Sequence, residues 1–306
     1  MKFYISITAL ILIHCVSYGD ILDPIHKRAE SFQELNNRLI NASARGNLRQ
    51  VRLLIFEGAN VNALPEVLPG YMPIHEAARN GHSEVVDYLI QAGADMDARG
   101  GLYGLTPLLL AIMNNDIPTV EILIHRGARL NRFDGDNISY PLLTAVSGSH
   151  TEIVSMLIEN GVFVNLANKD GVTPLLRSSQ TGDTNILCLI LTNDAEFRII
   201  DNKSNNVFHY ALSRENGFDT MSVLYDFAPV SAVELLNSPN EYGVTPIHLA
   251  AKYNQVEAIR FLSGIDGINF NPVTFKEYKD IPAESTPLNI AKLNGFDEIT
   301  RILEMK

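Results

Sequence analysis

The sequence predicts an all-α solenoid of about eight short helix–turn–helix repeats joined by β-hairpin-like loops. Three observations predict it. A Pro-Leu or Pro-Ile pair recurs at a nearly fixed spacing, and a Gly-His-like turn followed by a second apolar run continues the register. Of the 306 residues, 46% are hydrophobic and 19% are charged, which excludes a mostly disordered chain. The formal net charge of -11 argues against a general nucleic-acid or anionic-membrane binder, because such a binder needs clustered Lys and Arg.

The chain opens with a segment outside this pattern. Residues 1–19, MKFYISITALILIHCVSYG, put Lys2 before an apolar run from Phe3 to Val16, with Ser17 and Gly19 as the small residues of a cleavage site. That layout is the pattern of a secretory signal peptide. The competing reading is an uncleaved anchor, although the run is shorter than the ~20 residues that span a bilayer. Export to a periplasm or the exterior is expected, with a mature chain from Asp20, a lead segment over 20–32 and a repeat domain over 33–306. Cleavage would remove Cys15 and leave Cys188 without a disulfide partner. Within ILCLIL, Cys188 reads as a buried small hydrophobe.

The repeats follow in order. RLINASARGNL from Arg38 lacks the proline but keeps the glycine. MPIHEAARNGH from Met72, TPLLLAIMNND from Thr106, YPLLTAVSGSH from Tyr140 and TPLLRSSQTGD from Thr173 are regular. NVFHYALSREN from Asn206 is degenerate, and TPIHLAAKYNQ from Thr245 and TPLNIAKLNGF from Thr286 complete the series. Spacings run about 33–35 residues through Val207 and then about 39 and 41. Repeats are expected near 34–66, 67–100, 103–132, 136–167, 169–199, 203–236, 241–270 and 283–306. Insertions are placed near Glu215–Asn216, Pro229–Pro239 and Asn271–Ser285.

Each register has a physical reading. Proline at the first helical turn sacrifices no needed N–H and presets the backbone angle, and the preceding Thr is a natural N-cap. Small pairs such as Ala77-Ala78 let a neighbouring helix approach. The second helix spaces Val85, Val86, Leu89 and Ile90 on one face and ends at Gly93, which can adopt the left-handed conformation. One such pair is too short to stand alone in water, so neighbours must stack. The charged last helix, FDEITRILEMK, reads as a cap.

The stretches Pro73–Ala77, Gly93–Asp97 and Thr245–Ala250 closely resemble the T-P-L-H-x-A and G-A-D-x-N elements of the ankyrin repeat, and the resemblance covers about residues 33–306. It implies a non-enzymatic protein–protein interaction module, probed by its partner at hairpin tips and on the exposed side of the first helices. Carried onto this chain, those positions are Leu68, Tyr71, Arg79 and Asn80 in the second repeat. In the third they are Leu102, Tyr103, Leu105, Met113 and Asn114. A protein partner, no cofactor and a monomeric state are expected, and the exported chain could serve as a secreted effector. The alternatives are a structural periplasmic or envelope protein, or an enzyme or metal site grafted on the solenoid.

No catalytic or metal site is assigned. His75, His209 and His248 share one repeat position, too far apart for one ion with ~2 Å bonds, and read as ties to the next repeat's loop. Asp134-Gly135-Asp136-Asn137 lacks the offsets of a calcium loop and reads as a tight turn. Phosphate loops, H-E-x-x-H and C-x-x-C pairs are absent from the sequence.

Overall fold

A computed structural model describes residues 32–66, 69–131 and 140–306. The signal-like segment, Leu68 and the turn around Asp134–Asn137 lie outside the described residues. Two compact units result, one running to Asn114 and including Pro118–Ala128, the other comprising Asn115–Ile117 and Arg129–Lys306.

The first unit carries α1 (32–44), α2 (Leu48–Phe56), α3 (Pro73–Arg79), α4 (Ser83–Gln91), α5 (Pro107–Met113) and α6 (Ile117–His125). The second carries α7 (Pro141–Ser147), α8 (Thr151–Glu159), α9 (Pro174–Thr181), α10 (Thr184–Leu191), α11 (Val207–Ala211) and α12 (Phe218–Phe227). It continues with α13 (Pro229–Asn237), α14 (Pro246–Lys252), α15 (Val256–Ser263), α16 (Pro287–Leu293) and α17 (Asp297–Glu304). Among the described residues, odd helices up to α11, and then α14 and α16, are the first members of eight pairs. Among the described residues strand pairing is confined to two isolated antiparallel bridges, Gly100 with Leu105 and Tyr278 with Ile281.

Local chemistry sets the helix limits. Proline occupies the first turn of α3, α5, α7, α9, α14 and α16, and the Thr106 and Thr173 hydroxyls accept from Leu109 N and Leu176 N at 3.3 Å. Packing then orders the pairs. In the first unit α3 lies against α4 and α5; in the second α9 contacts α7, α10 and α11, and α14 contacts α15 and α16. Val85, Val86 and Leu89 form the buried face of α4, and Ile299 and Leu303 alone are buried in α17, whose remaining face meets solvent.

Asparagine side chains tie successive turns. Asn62 donates to the Gly93 carbonyl at 3.2 Å and accepts from Asp95 N at 2.9 Å. Asn131, Asn165 and Asn237 repeat this two-way bond with Gly161 and Phe163, Asp194 and Glu196, and Gly267 and Asn269. Each rung satisfies one orphan carbonyl and one orphan N–H left by the turn. Asp194 takes the left-handed conformation (φ 58°) that Gly93 and Gly161 hold elsewhere.

One expectation gains detail and one is corrected. The insertion at 229–239 is a helix, α13, which buries Ala232, Leu235 and Leu236, so the sixth repeat has three helices. Cys188 is exposed, because Ile186, Leu187, Ile190 and Leu191 already define the buried face of α10 and Cys188 falls on the other side.

Val207 is fully buried and begins α11 where the six helices above carry proline. Val207→Pro should stabilise the chain by about 0.4–1 kcal/mol by restricting the unfolded backbone. A raised urea midpoint is the expected result; a lowered one would mean that the backbone there rejects proline.

Candidate functional site

In the first unit the 100–105 hairpin projects between α4 and α5 in sequence. Gly100 and Leu105 exchange both backbone bonds at 2.9 Å, and Gly101 N donates to Gly70 O at 2.9 Å, so the hairpin is anchored to the preceding loop. Gly101 has φ 69°, and a Cβ there would come within 2.8 Å of the Tyr71 ring. Only glycine allows that approach. The result is a rigid tip that presents Leu102 at 73% and Tyr103 at 76% exposure, with Met113 also exposed at the end of α5.

The other expected contact residues are divided. Arg79 is exposed; its guanidinium lies 5.6 Å from the Tyr71 ring centre and 3.7 Å from the Glu76 carboxylate. Asn80 donates to Glu76 O at 2.7 Å, and Asn114 donates to the Arg79 carbonyl, so both amides tie helix ends while remaining at the surface. Leu105 is a correction. It is buried at 8% exposure with Leu109 and Leu110, because its pairing with Gly100 at the hairpin base turns its side chain inward. Tyr71 is a second correction, since it packs against that same cluster and stacks on His75 at 5.7 Å. These two positions therefore serve the packing.

The histidines act as the sequence suggests. His75 Nε2 bonds to the carbonyls of Ala98 (2.9 Å) and Leu105 (3.1 Å), His209 Nε2 to Val244 O (2.8 Å) and His248 Nε2 to Ser285 O (3.1 Å). In the last two, Nδ1 accepts from the N-cap N–H of Asn206 (3.2 Å) and Thr245 (3.0 Å). That acceptor role assigns the proton to Nε2. Burial lowers the pKa of all three, to about 4 for His209 and His248.

Sequence reasoning missed a polar network in the second unit. Asp201, nearly buried, accepts from Lys203 N (2.8 Å), Asn205 N (2.8 Å), Asn205 Nδ2 (2.9 Å) and the Tyr210 hydroxyl (2.9 Å). Asn240 donates on to Asn205 Oδ1 at 2.9 Å. Burial first, and then the Asp201 bond, push the Tyr210 phenol above its ordinary pKa. The signal was the repeated spacing of Asn168, Asp201 and Asn240, each of which caps its own turn by accepting N–H groups two and four residues on.

A family model described as ankyrin repeats, in three copies, matches residues 39–134, 135–201 and 179–274, which is most of the chain. The chain belongs to the ankyrin-repeat family. A solved structure, the human ASB11 ankyrin repeat domain, is similar with a TM-score of 0.61 and 24% identity, over 69% of this chain and 90% of that one. This likeness shows the fold. Among curated relatives, ankyrin repeat domain-containing protein 40 of Mus musculus is 40% identical over 65 residues, 21% of this chain and 18% of that protein. Sex-determining protein fem-1 of Caenorhabditis elegans is 36% identical over 67 residues, 20% of this chain and 10% of its own. Protein phosphatase 1 regulatory subunit 27 of Homo sapiens is 42% identical over 53 residues, 17% of this chain and 33% of its own. The chain thus spans a third or less of these relatives. As an ankyrin-repeat array it has the architecture of a protein–protein interaction module. Among the described residues no helix is long and apolar enough to cross a membrane.

Proposed function

We propose that this chain is a non-enzymatic protein-binding module, exported through residues 1–19, that engages its partner as a monomer through the tip of the 100–105 hairpin. The carrying observation is the pair Leu102 and Tyr103, both largely exposed on a backbone fixed by paired bonds. Apolar side chains held in place lose little entropy on binding, and a buried aromatic anchor can contribute ~2 kcal/mol or more. Met113, Arg79, Asn80 and Asn114 supply the surrounding contacts in this reading. Tyr71 and Leu105 support the hairpin from beneath. Export is supported by the charge, apolar run and small-residue layout of the first 19 residues. The ankyrin-repeat relatives support the interaction role by analogy.

The test is affinity capture with the chain immobilised from Asp20 onward, followed by measurement on the purified partner. Leu102→Ala with Tyr103→Ala should weaken that partner at least about tenfold, equivalent to about 1.4 kcal/mol, with the circular dichroism unchanged. Unaltered affinity in the folded double variant would move the interface away from the hairpin.

A further inference from the structure

A second feature lies in the second unit, far along the chain from that hairpin. An open-sided cavity of about 420 Å³ is walled by the turn after Asp201, by α11 and by the 272–285 finger, with Gln180, Lys203, Tyr210, Tyr278 and Lys279 among its lining. Its size is that of a ligand pocket. The finger is held by bonds between Thr274 and Ser285 and by the Tyr278–Ile281 bridge, and Phe275 N donates to Tyr242 O at 2.8 Å. Tyr242 and Tyr278 pack at 4.9 Å, so the finger is anchored to the neighbouring turn.

The charges around the cavity are not equivalent. Asp201 already accepts four hydrogen bonds, two on each oxygen, which fills the acceptor capacity of a carboxylate. Asp170 is exposed at the rim, where water solvates it. Lys203 and Lys279 line the cavity and form no ion pair among the described residues; Lys279 Nζ rests 5.2 Å from the centre of the Tyr278 ring. Two lysines without an ion pair, exposed like Asp170, thus stand beside a carboxylate whose acceptor sites are filled, and apolar area from Val172, Leu249 and the tyrosine rings adjoins them.

We propose that this cavity takes the carboxylate side chain of an acidic segment of a partner protein, with Lys203 and Lys279 as its cationic contacts and Tyr210 and Tyr278 as its apolar walls. The proposal rests on the reading of the chain as a protein-binding module and gives it a second contact with defined chemistry. The net charge of -11 does not oppose it, because at physiological ionic strength charges beyond about 8 Å are screened and the local lysines decide. Tyr210 contributes indirectly as well: its hydroxyl donates to an Asp201 oxygen, and that O–H dipole offsets part of the repulsion between Asp201 and the ligand.

The probe is an array of short peptides carrying one glutamate between apolar and aromatic neighbours, each paired with its glutamine counterpart, and exposed to the full chain. Glutamate peptides should be retained, with the glutamine forms at least about tenfold weaker and binding falling as salt rises. Lys203→Gln with Lys279→Gln should lose that preference, and both residues are surface groups whose replacement leaves the fold intact by circular dichroism. Tyr210→Phe should weaken glutamate peptides severalfold and leave glutamine peptides unchanged, which a purely structural role would not do. Leu102→Ala with Tyr103→Ala should have no effect on the array. Equal retention of both peptide forms, preference for Lys or Arg peptides, unchanged binding in the double lysine variant, or no retention at all would each overturn the proposal. Failure on the array with capture through Leu102 and Tyr103 intact removes only this cavity, whereas loss of both removes the interaction reading.

Discussion

Between pH 6.5 and about 4 the chain should lose several kcal/mol of stability, with most of the loss coming from His209 and His248. Burial is the leading cause of their lowered pKa, to about 4 each, and the hydrogen bonds explain why the neutral form is specified. A proton added at Nδ1 would point at the N–H of Asn206 or Thr245, replacing an attraction with a repulsion. In the unfolded chain both rings take up a proton near pH 6.5, while in the folded chain they resist it until about 4. The unfolded state therefore binds more protons in that window, so their contribution is complete above pH 6.5 and lost as the pH falls. A displacement from 6.5 to about 4 is worth about 3 kcal/mol for one ring. The two do not simply add, since a charged His248 further lowers His209. Urea titrations across this range should show a falling midpoint, and His209→Gln with His248→Gln should be weaker at neutral pH but nearly flat. A flat profile in the unaltered chain would sink the account.

Phe208→Ala should cost about 3–5 kcal/mol, the range for a fully buried aromatic truncated to alanine. Phe208 occupies the position held by Ile74, Leu108, Leu142, Leu175 and Ile247 in five other repeats, and among the described residues it is the largest of the fully buried side chains. The extra volume is used. Its ring meets Phe197 edge-on at 6.3 Å, and Phe197 lies 5.7 Å from Phe227, so the aromatic set links α11 to α12 and to the preceding turn. Phe208→Leu should cost much less, because it restores the side-chain type of the neighbouring repeats. Unfolding of Phe208→Ala should also lose cooperativity, with residues 197–237 opening first, since a stacked array fails where an interface is weakest. Hydrogen exchange would read this out. Uniform loss of protection along the chain would contradict it.

Phe208 and His209 lie in the repeat whose register is degenerate, and the reason is instructive. Helix positions were legible because proline, threonine and alternating apolar faces report local backbone and burial directly. Val207 broke the proline pattern, yet Asn206 caps α11 with two bonds and His209 returns one to it, so different residues satisfy the same termini. The hairpin was harder to read. Leu102 and Leu105 are three residues apart in one turn with the same chemistry, and only the Gly100 pairing sends one outward and the other in. Similarly, α13 was hidden because an apolar stretch beginning with proline suits an insertion as well as a helix. The cavity could not be read at all, since Lys203, Tyr210 and Tyr278 come from three separate segments that folding alone brings together.

The asparagine rungs have a consequence for how such a chain changes length over evolutionary time. Each amide imitates a stretch of main chain: it offers one acceptor and one donor at a separation that the next turn matches at all four rungs. An amide that meets every neighbour in the same way does not distinguish which neighbour it has. A duplicated helix pair that carries such a rung therefore arrives with its own fastening, and the ends rejoin with the amide's donor and acceptor both used. Gene segments that encode whole pairs can be gained or dropped in frame, and selection then acts on the tips and cavities carried by each pair, while the joints need no new invention.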